Sequence, residues 1–161
     1  MTGTVRPIAQ GAFRGNGAVV LERTEADREK PCSIELPSFP VTPGTWDFVC
    51  ATACELVSPD SSFSGTVTVD ILDAAGKSIE RKTIADVAGK RPWQLARAQM
   101  TLPAAAVSAR FSARLNKTIG VFRMDEFSAK PATDAARPSA VDRVVLKAQP
   151  VGNLFFPDQE R

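Results

Sequence analysis

The sequence contains no histidine among its 161 residues. Histidine is the side chain that most often acts as a general base, and it is the commonest metal ligand in proteins. Serine and cysteine nucleophiles therefore lack their usual partner, and no phosphate-binding loop, dinucleotide-binding glycine motif or G-x-S-x-G motif is present. Carboxylates are plentiful, but no pair of them stands in a recognisable catalytic motif. The sequence predicts a protein that is not an enzyme.

Cysteine is scarce as well, with only Cys32, Cys50 and Cys54. Cys50 and Cys54 lie four residues apart in a predicted strand, which separates their Cα atoms by roughly 13 Å. A disulfide needs a separation of about 4.4–6.8 Å, so these two cannot pair with each other. Cys32 could still pair with either one across strands, although an odd count favours buried free thiols. Without histidine or C-x-x-C spacing, a zinc site is not expected.

The sequence also lacks any apolar run near the roughly 18 residues that a transmembrane helix needs. Its formal net charge of +2 is too small to favour nucleic acid or a membrane surface as a partner. Hydrophobic residues make up 43% and charged residues 24%, which is the balance of a globular domain. The first ten residues lack the apolar centre of a signal peptide, and we expect the chain to be a piece of a longer protein.

Short segments of alternating apolar and polar residues dominate what is present. The clearest one runs from Val107 to Leu115, with apolar residues at the odd positions and Ser or Arg, including Arg110 and Arg114, at the even ones. A period of two is typical of a half-buried antiparallel strand. About nine such segments, separated by turn signals at roughly 8–12-residue spacing, predict an all-β fold, an antiparallel β-sandwich.

The composition changes after Lys130. Residues 131–140 are rich in proline and alanine, which is typical of a linker. Apolar segments at 141–148 and 151–156 could add strands. We therefore predict a β-sandwich domain over 1–130, followed over 131–161 by a linker and one or more additional strands. Two interpretations stay open: this tail begins a following domain, or it packs back on the sandwich as an edge strand.

Five motifs follow one another along the chain. They are a proline–glycine turn with alternating aromatics, a hairpin, a tryptophan strand that ends in proline, an alternating strand, and a strand with paired acids, over 43–48, 65–77, 92–103, 107–115 and 122–128. In this order they resemble the carbohydrate-binding modules with a galactose-binding-like jelly-roll fold, over about 17–130 of this chain. Such modules are common as accessory domains of secreted glycoside hydrolases.

The resemblance implies a structural Ca²⁺ between the N-terminal strands and the first acid of the terminal pair, Asp125. Calcium takes six to eight oxygen ligands, from carboxylates and from loop carbonyls. In this sequence Asn16 and backbone carbonyls would supply the N-terminal part, because the acid usual in that segment has no counterpart and the nearest one is Glu22. The alternative is that Asp125 caps the end of a strand or pairs with an arginine.

The resemblance also implies a sugar-binding surface, in which aromatic rings stack on sugars and planar polar groups bind hydroxyls. Trp46 and Trp93 fall at positions that face the core in the family, which favours packing, although Trp93 stays a candidate ligand contact. The other candidates are Arg110, Arg114 and Arg123, which would share one face if their strands pair. Arg97 on the strand before could be a fourth member. A guanidinium fork binds carboxylate or sulfate, so this row would favour an anionic glycan. Alternatively, Asp47, Asp70 and Glu126 neutralise the arginines on a solvated face.

We therefore expect a non-catalytic carbohydrate-binding module that targets an attached polysaccharide-degrading enzyme to its glycan. Its partner would be a polysaccharide or oligosaccharide, and it would act as a monomer within a multidomain, extracellular or periplasmic protein. The alternative is a structural β-sandwich spacer with no ligand of its own.

Overall fold

The computed structural model describes residues 4–8, 12–14, 18–57 and 63–132, with residues 4–8 described by their backbone alone. These residues contain ten strands and a single short 3-10 helix at Glu25–Asp27. The strands are β1 (Thr4–Ile8), β2 (Ala18–Arg23), β3 (Cys32–Glu35), β4 (Phe39–Pro40), β5 (Gly44–Val57), β6 (Gly65–Leu72), β7 (Ser78–Val87), β8 (Lys90–Leu102), β9 (Ser108–Leu115) and β10 (Ile119–Pro131).

The strands form two sheets in which all the described pairs are antiparallel. The first sheet has the order β1-β2-β10-β5-β8, and the second has the order β3-β9-β6-β7 with β4 also paired to β9. The predicted all-β, antiparallel β-sandwich is therefore confirmed. β1 lies at the edge of the first sheet, which is the position in a sheet where a strand tolerates a proline such as Pro7.

The core lies between the two sheets and is built from the inward side chains of their central strands. Phe48, Phe122 and Met124 of the first sheet and Val69 and Ile71 of the second are completely buried. Burial of each such side chain contributes about 1.5–3 kcal/mol to folding. The alternation along each strand thus decides which residues form the core.

β9 follows the predicted alternation with one exception. Its central residue, Phe111, is buried, and its ring centroid lies 6.1 Å from that of Phe48 and 5.2 Å from that of Phe127. Because both partners belong to the first sheet, Phe111 joins the two inner faces. Val107 does not face inward as predicted: it is 44% exposed, since β9 begins only at Ser108.

A β-bulge interrupts β10 where it runs beside β5. Asp125 pairs with Ala51 and Ser128 pairs with Val49, so β10 holds one residue more than β5 over this stretch. Glu126 has a φ of 54°, which is uncommon for a residue other than glycine and marks the irregularity. The paired acids, Asp125 and Glu126, therefore lie at a bulge, where the direction of the side chains along β10 changes.

The three cysteines are buried and free, as the odd count predicts. Burial raises the pKa of the Cys50 thiol to about 12, and burial also raises the pKa values of Cys32 and Cys54. Only the thiolate is a strong nucleophile or metal ligand. The cysteines are therefore packing residues.

The described residues up to Pro131, where β10 ends, belong to one compact unit. Residues 133–161 lie outside the described residues, so the linker and the strands predicted at 141–148 and 151–156 stay predictions. Across the described residues we find no helix with the length and hydropathy to cross a membrane.

Candidate functional site

The row of arginines predicted from the sequence is divided between the two sheets. Arg110 and Arg114 project from β9 of the second sheet, whereas Arg123 projects from β10 of the first sheet. Residues 116–118 carry the chain from one sheet to the other, so β9 and β10 are consecutive in sequence without being paired. The prediction that these arginines share one face is wrong, because alternation does not say which sheet a strand joins.

Two of the three arginines are paired with glutamates. Arg110 Nη1 lies 2.8 Å from Glu35 Oε2, and Arg123 Nη1 lies 3.4 Å from Glu55 Oε1. Arg114 differs, because its Nε donates to the Thr66 hydroxyl at 3.3 Å and no ion pair of it occurs within the described part of the chain. Acids therefore do neutralise Arg110 and Arg123, but these acids are Glu35 and Glu55 and not the expected Asp47, Asp70 and Glu126. Arg114 is left as an available guanidinium.

The two tryptophans, both of which were expected to face the core, differ in their surroundings. Trp46 is buried in the core as expected, and its indole Nε1 donates to the carbonyl oxygen of Thr42 at 2.9 Å. Trp93 is only partly buried and lies outside the core cluster. Its ring centroid is 5.9 Å from that of Phe13, in a tilted arrangement. The expectation that Trp93 packs into the core is wrong.

Trp93 begins a row of side chains on the outer face of the first sheet. Leu95 pairs across the strand with Ala51, and period two places Arg97 and Gln99 on the same side as Leu95. Trp93 lies at the register shift between Arg91 and Gln94. Its ring reaches this side through Phe13, whose N–H binds Asp125 opposite Ala51. Successive members of this row lie roughly 6.8 Å apart along the strand. Leu95 is 57% exposed, so solvent and ligands reach the row.

Asp47 of β5 joins this row and orients two of its polar members. Arg97 Nε donates to Asp47 Oδ1 at 3.2 Å and Arg97 Nη2 contacts Oδ2, while Gln99 Nε2 lies 3.3 Å from Oδ1. The hydrogen bond from Arg97 holds the pKa of Asp47 below its usual value, so the carboxylate is ionised at neutral pH. We call the set Phe13, Asp47, Trp93, Leu95, Arg97 and Gln99 the Trp93 face.

Most of the Trp93 face was missed at the sequence level. Trp93 was a predicted ligand contact, whereas Arg97 was considered only as a fourth arginine of the row and Asp47 only as a neutralising acid. The three other residues carry no motif. A signal was nevertheless present in the sequence, because large or polar side chains stand at every second position from Trp93 to Gln99, as they do on one face of a strand. Phe13 had no signal, since it comes from a distant segment.

The predicted calcium ligand Asp125 is held by backbone amides. Its Oδ2 accepts hydrogen bonds from the N–H groups of Phe13 at 2.9 Å and Arg14 at 3.0 Å, and its Oδ1 accepts one from Glu126 at 2.7 Å. The carboxylate thus fixes residues 12–14 over the bulge, which resembles the capping alternative.

The described residues alone do not fit a calcium ion. Both oxygens of Asp125 face N–H donors, and no group of three or more acidic, histidine or cysteine ligands occurs among the residues that the structure describes. The other predicted ligand, Asn16, lies outside the described residues. Calcium binding stays a prediction that rests on the resemblance.

Asp70 is a buried carboxylate on the second sheet. Its Oδ1 accepts hydrogen bonds from Arg81 Nε at 2.5 Å and from the Ser78 hydroxyl at 3.2 Å, and its Oδ2 accepts one from Ser112 at 2.9 Å. Burial raises the pKa of Asp70, but these hydrogen bonds outweigh it, so the pKa lies below its ordinary value. Asp70 is therefore a structural anion that holds Arg81 against the sheet.

We expect Asp70→Asn to lower the free energy of unfolding at pH 7 by about 1–3 kcal/mol, because a buried charge-assisted network is weakened. The folded pKa is lowered, so this contribution is fully present above the unfolded value of about 3.9 and disappears as the pH falls through the folded pKa. Urea denaturation at several pH values between neutral and acidic measures this contribution of Asp70 to the free energy of unfolding. The variant should lose less stability in acid than the wild type. Identical acid profiles would contradict this, and Asp86→Asn, which changes an exposed carboxylate of β7, is the control.

The two sheets define an antiparallel β-sandwich. No protein-family profile and no curated protein matches the sequence. Solved structures do match the fold. One is the enzymatically active domain of tailspike protein 4 of bacteriophage CBA120, with a TM-score of 0.59 and 9% identity over 79% of this chain and 17% of that chain.

Two further matches are carbohydrate-binding proteins. The CBM22-1–GH10 modules of a Clostridium thermocellum xylanase, complexed with xylohexaose, give a TM-score of 0.55 and 13% identity over 84% of this chain and 26% of that chain. TmCBM61 in complex with β-1,4-galactotriose gives a TM-score of 0.53 and 14% identity over 81% of this chain and 86% of that chain.

The matched structures are mostly carbohydrate-binding modules, of families 22, 16 and 61, which confirms the resemblance at the level of the fold. The chain spans only about a sixth and a quarter of the first two proteins, which also carry enzymatic activity or modules. With identities this low the likeness shows the fold, and the function has to be argued from the site.

Proposed function

We propose that this domain is a non-catalytic carbohydrate-binding module whose ligand is a glycan chain bound along the Trp93 face. The observation that carries the proposal is the partly exposed Trp93 at the start of a row that continues into Arg97 and Gln99. An indole offers a flat apolar surface for the C–H face of a sugar ring. The guanidinium, amide and carboxylate groups beyond it offer donors and acceptors for hydroxyls.

The charge of the Trp93 face supports a neutral glycan on this side. Asp47 and Arg97 neutralise each other, and Asp47 also fixes Gln99, so the polar groups are ordered before a ligand arrives. Groups that are already ordered lose less conformational freedom on binding. The row of four side chains on β8 spans roughly 20 Å, which is enough for a chain of sugars rather than for one.

The wider role follows from the fold class. Sandwiches similar to this one occur in chains that also hold a glycoside-hydrolase module, such as the xylanase modules complexed with xylohexaose. We infer that the domain directs an attached polysaccharide-degrading enzyme to its substrate, outside the cytoplasm, and performs no chemistry itself. The absence of histidine and of a catalytic motif supports this role.

We expect Trp93→Ala to weaken glycan binding by roughly 30-fold, because removal of a central aromatic contact typically costs about 2 kcal/mol or more. Isothermal titration calorimetry with xylohexaose and β-1,4-galactotriose, after a screen of insoluble and soluble polysaccharides, measures the affinity. Val57→Ala is the matched control, since Val57 is a 64% exposed apolar residue at the end of β5. It should leave the affinity unchanged.

Two outcomes would overturn the proposal. If the wild type binds none of the polysaccharides in the screen, the domain is a spacer with no ligand of its own. If it binds a glycan but Trp93→Ala binds equally well, the glycan contacts another face. Melting temperatures of both variants show that any loss reflects the site and not unfolding.

A further inference from the structure

We propose a second binding site on the opposite side of the sandwich, for the carboxylate or sulfate group of an acidic glycan, with Arg114 as its main cation. This inference goes beyond the neutral-glycan role of the Trp93 face and does not depend on it. The site is a cavity of about 170 Å³ on the outer face of the second sheet. Its side-chain lining consists mainly of Ser33, Glu35, Thr68, Arg81, Ser112 and Arg114.

The strand register explains why these residues meet. Arg114 pairs with Ser33 of β3 on one side and with Thr66 of β6 on the other. Ser112, two residues earlier on the same face, pairs with Glu35 and with Thr68. The cavity therefore lies across the three strands β3, β9 and β6, and its walls are fixed by backbone pairing.

The charges around the cavity leave one guanidinium without a carboxylate. Asp70 binds Arg81 at 2.5 Å, and Glu35 binds Arg110 at 2.8 Å. Arg114 uses only Nε, toward the Thr66 hydroxyl, and the described residues bring no carboxylate to it. The Nη groups of Arg114 are therefore available as the two parallel donors that suit a carboxylate or sulfate.

Hydroxyl groups complete the donor set. Within the described residues the side chains of Ser33 and Thr68 make no hydrogen bond, and both line the cavity. Ser112 is different, because its hydroxyl already donates to Asp70. Two hydroxyls and a guanidinium edge on one small cavity offer an oxyanion several hydrogen bonds at once.

The size of the cavity limits what it can hold. Liquid water occupies about 30 Å³ per molecule, so the space corresponds to about six waters. Pockets that enclose drug-sized ligands are about 300–1,000 Å³. The cavity therefore suits one anionic substituent of a sugar, with the rest of the glycan lying on the surface of the sheet.

Affinity gel electrophoresis with polygalacturonate, dextran sulfate and uncharged dextran tests this site. We expect both acidic polymers to retard the wild type in low salt, and dextran to have no effect. Arg114→Gln should lower the affinity for the acidic polymers at least fivefold, and Arg114→Lys should retain part of it, since an ammonium keeps the charge but not the fork. A difference between polygalacturonate and dextran sulfate identifies which anion the site prefers.

Arg123→Gln is the matched control, because it removes the same charge from the other sheet. Equal losses in Arg114→Gln and Arg123→Gln would overturn the proposal and indicate unspecific attraction between the whole protein and a polyanion. Lack of retardation of the wild type by either acidic polymer would also overturn it. Trp93→Ala should bind the acidic polymers like the wild type, so this proposal and that of the Trp93 face can fail separately.

Discussion

Arg23→Met is expected to lower the free energy of unfolding by about 3 kcal/mol, because it leaves buried carbonyl groups without a donor. Arg23 is only 4% exposed, and within the described residues it forms no ion pair with a carboxylate. Its Nη2 donates to the carbonyl oxygens of Lys30 at 2.7 Å and Leu115 at 3.0 Å, and its Nη1 donates more weakly to that of Thr118 at 3.5 Å. One side chain thus joins the end of β2 to the connections that precede β3 and β10.

A buried cation normally stays charged only if its surroundings replace the water that it loses. For Arg23 the carbonyl dipoles do so, while its Nε is buried without a hydrogen-bond partner in the structure. The hydrogen bonds that compensate the buried charge of Arg23 are therefore those of its two Nη groups to the carbonyls. Arg23→Lys should fall between the wild type and Arg23→Met, because an ammonium keeps the charge but reaches fewer of the acceptors.

Urea denaturation at neutral pH measures these differences. Arg123→Met is the control: Arg123 forms a surface ion pair with Glu55, and its loss should change the stability by less than about 1 kcal/mol. If Arg23→Met were as stable as the wild type, water would have to enter and satisfy the carbonyls. The role assigned to Arg23 would then be wrong.

The strands were predictable from the sequence, but their partners were not. The alternation along 108–115 identifies the buried face of β9 residue by residue, and Phe111 lies in the core as expected. A local period, however, contains no information about which sheet a strand enters. Arg110 and Arg123 therefore looked like neighbours, although the chain crosses between the sheets in the three residues that separate β9 from β10.

The site was less predictable than the fold, because its contacts are distant in sequence. Asp125 was recognised as an acid at the end of the chain's last clear strand, but its donors Phe13 and Arg14 lie 112 and 111 residues away. Trp93 was assigned to the core, yet its ring packs against Phe13, at the other end of the sandwich sequence. A single sequence shows which residue types are present, but it does not show which of them come into contact in the folded chain.

Gly120→Ala is expected to be among the most damaging single substitutions, with a loss of about 3–4 kcal/mol in the free energy of unfolding. Gly120 lies in β10 between Leu56 of β5 and Arg23 of β2, and its φ is 111°. A Cβ atom there would lie 2.1 Å from the carbonyl oxygen of Glu55. Since that oxygen belongs to the backbone of a central strand, it cannot move aside as the end of a side chain could.

Gly76→Ala separates the two causes of this loss. Gly76 also has a positive φ, of 75°, but a Cβ atom there would have nothing within 4 Å. Its substitution should therefore cost only the backbone strain, about 1 kcal/mol. Thermal and urea denaturation give the loss in the free energy of unfolding for each variant. The difference between the two losses measures the steric cost of the close approach of β10 to β5. Equal losses would mean that β10 and β5 separate easily at this point. The tight pairing that positions Arg23 beside Gly120 would then contribute little to the stability of the sandwich.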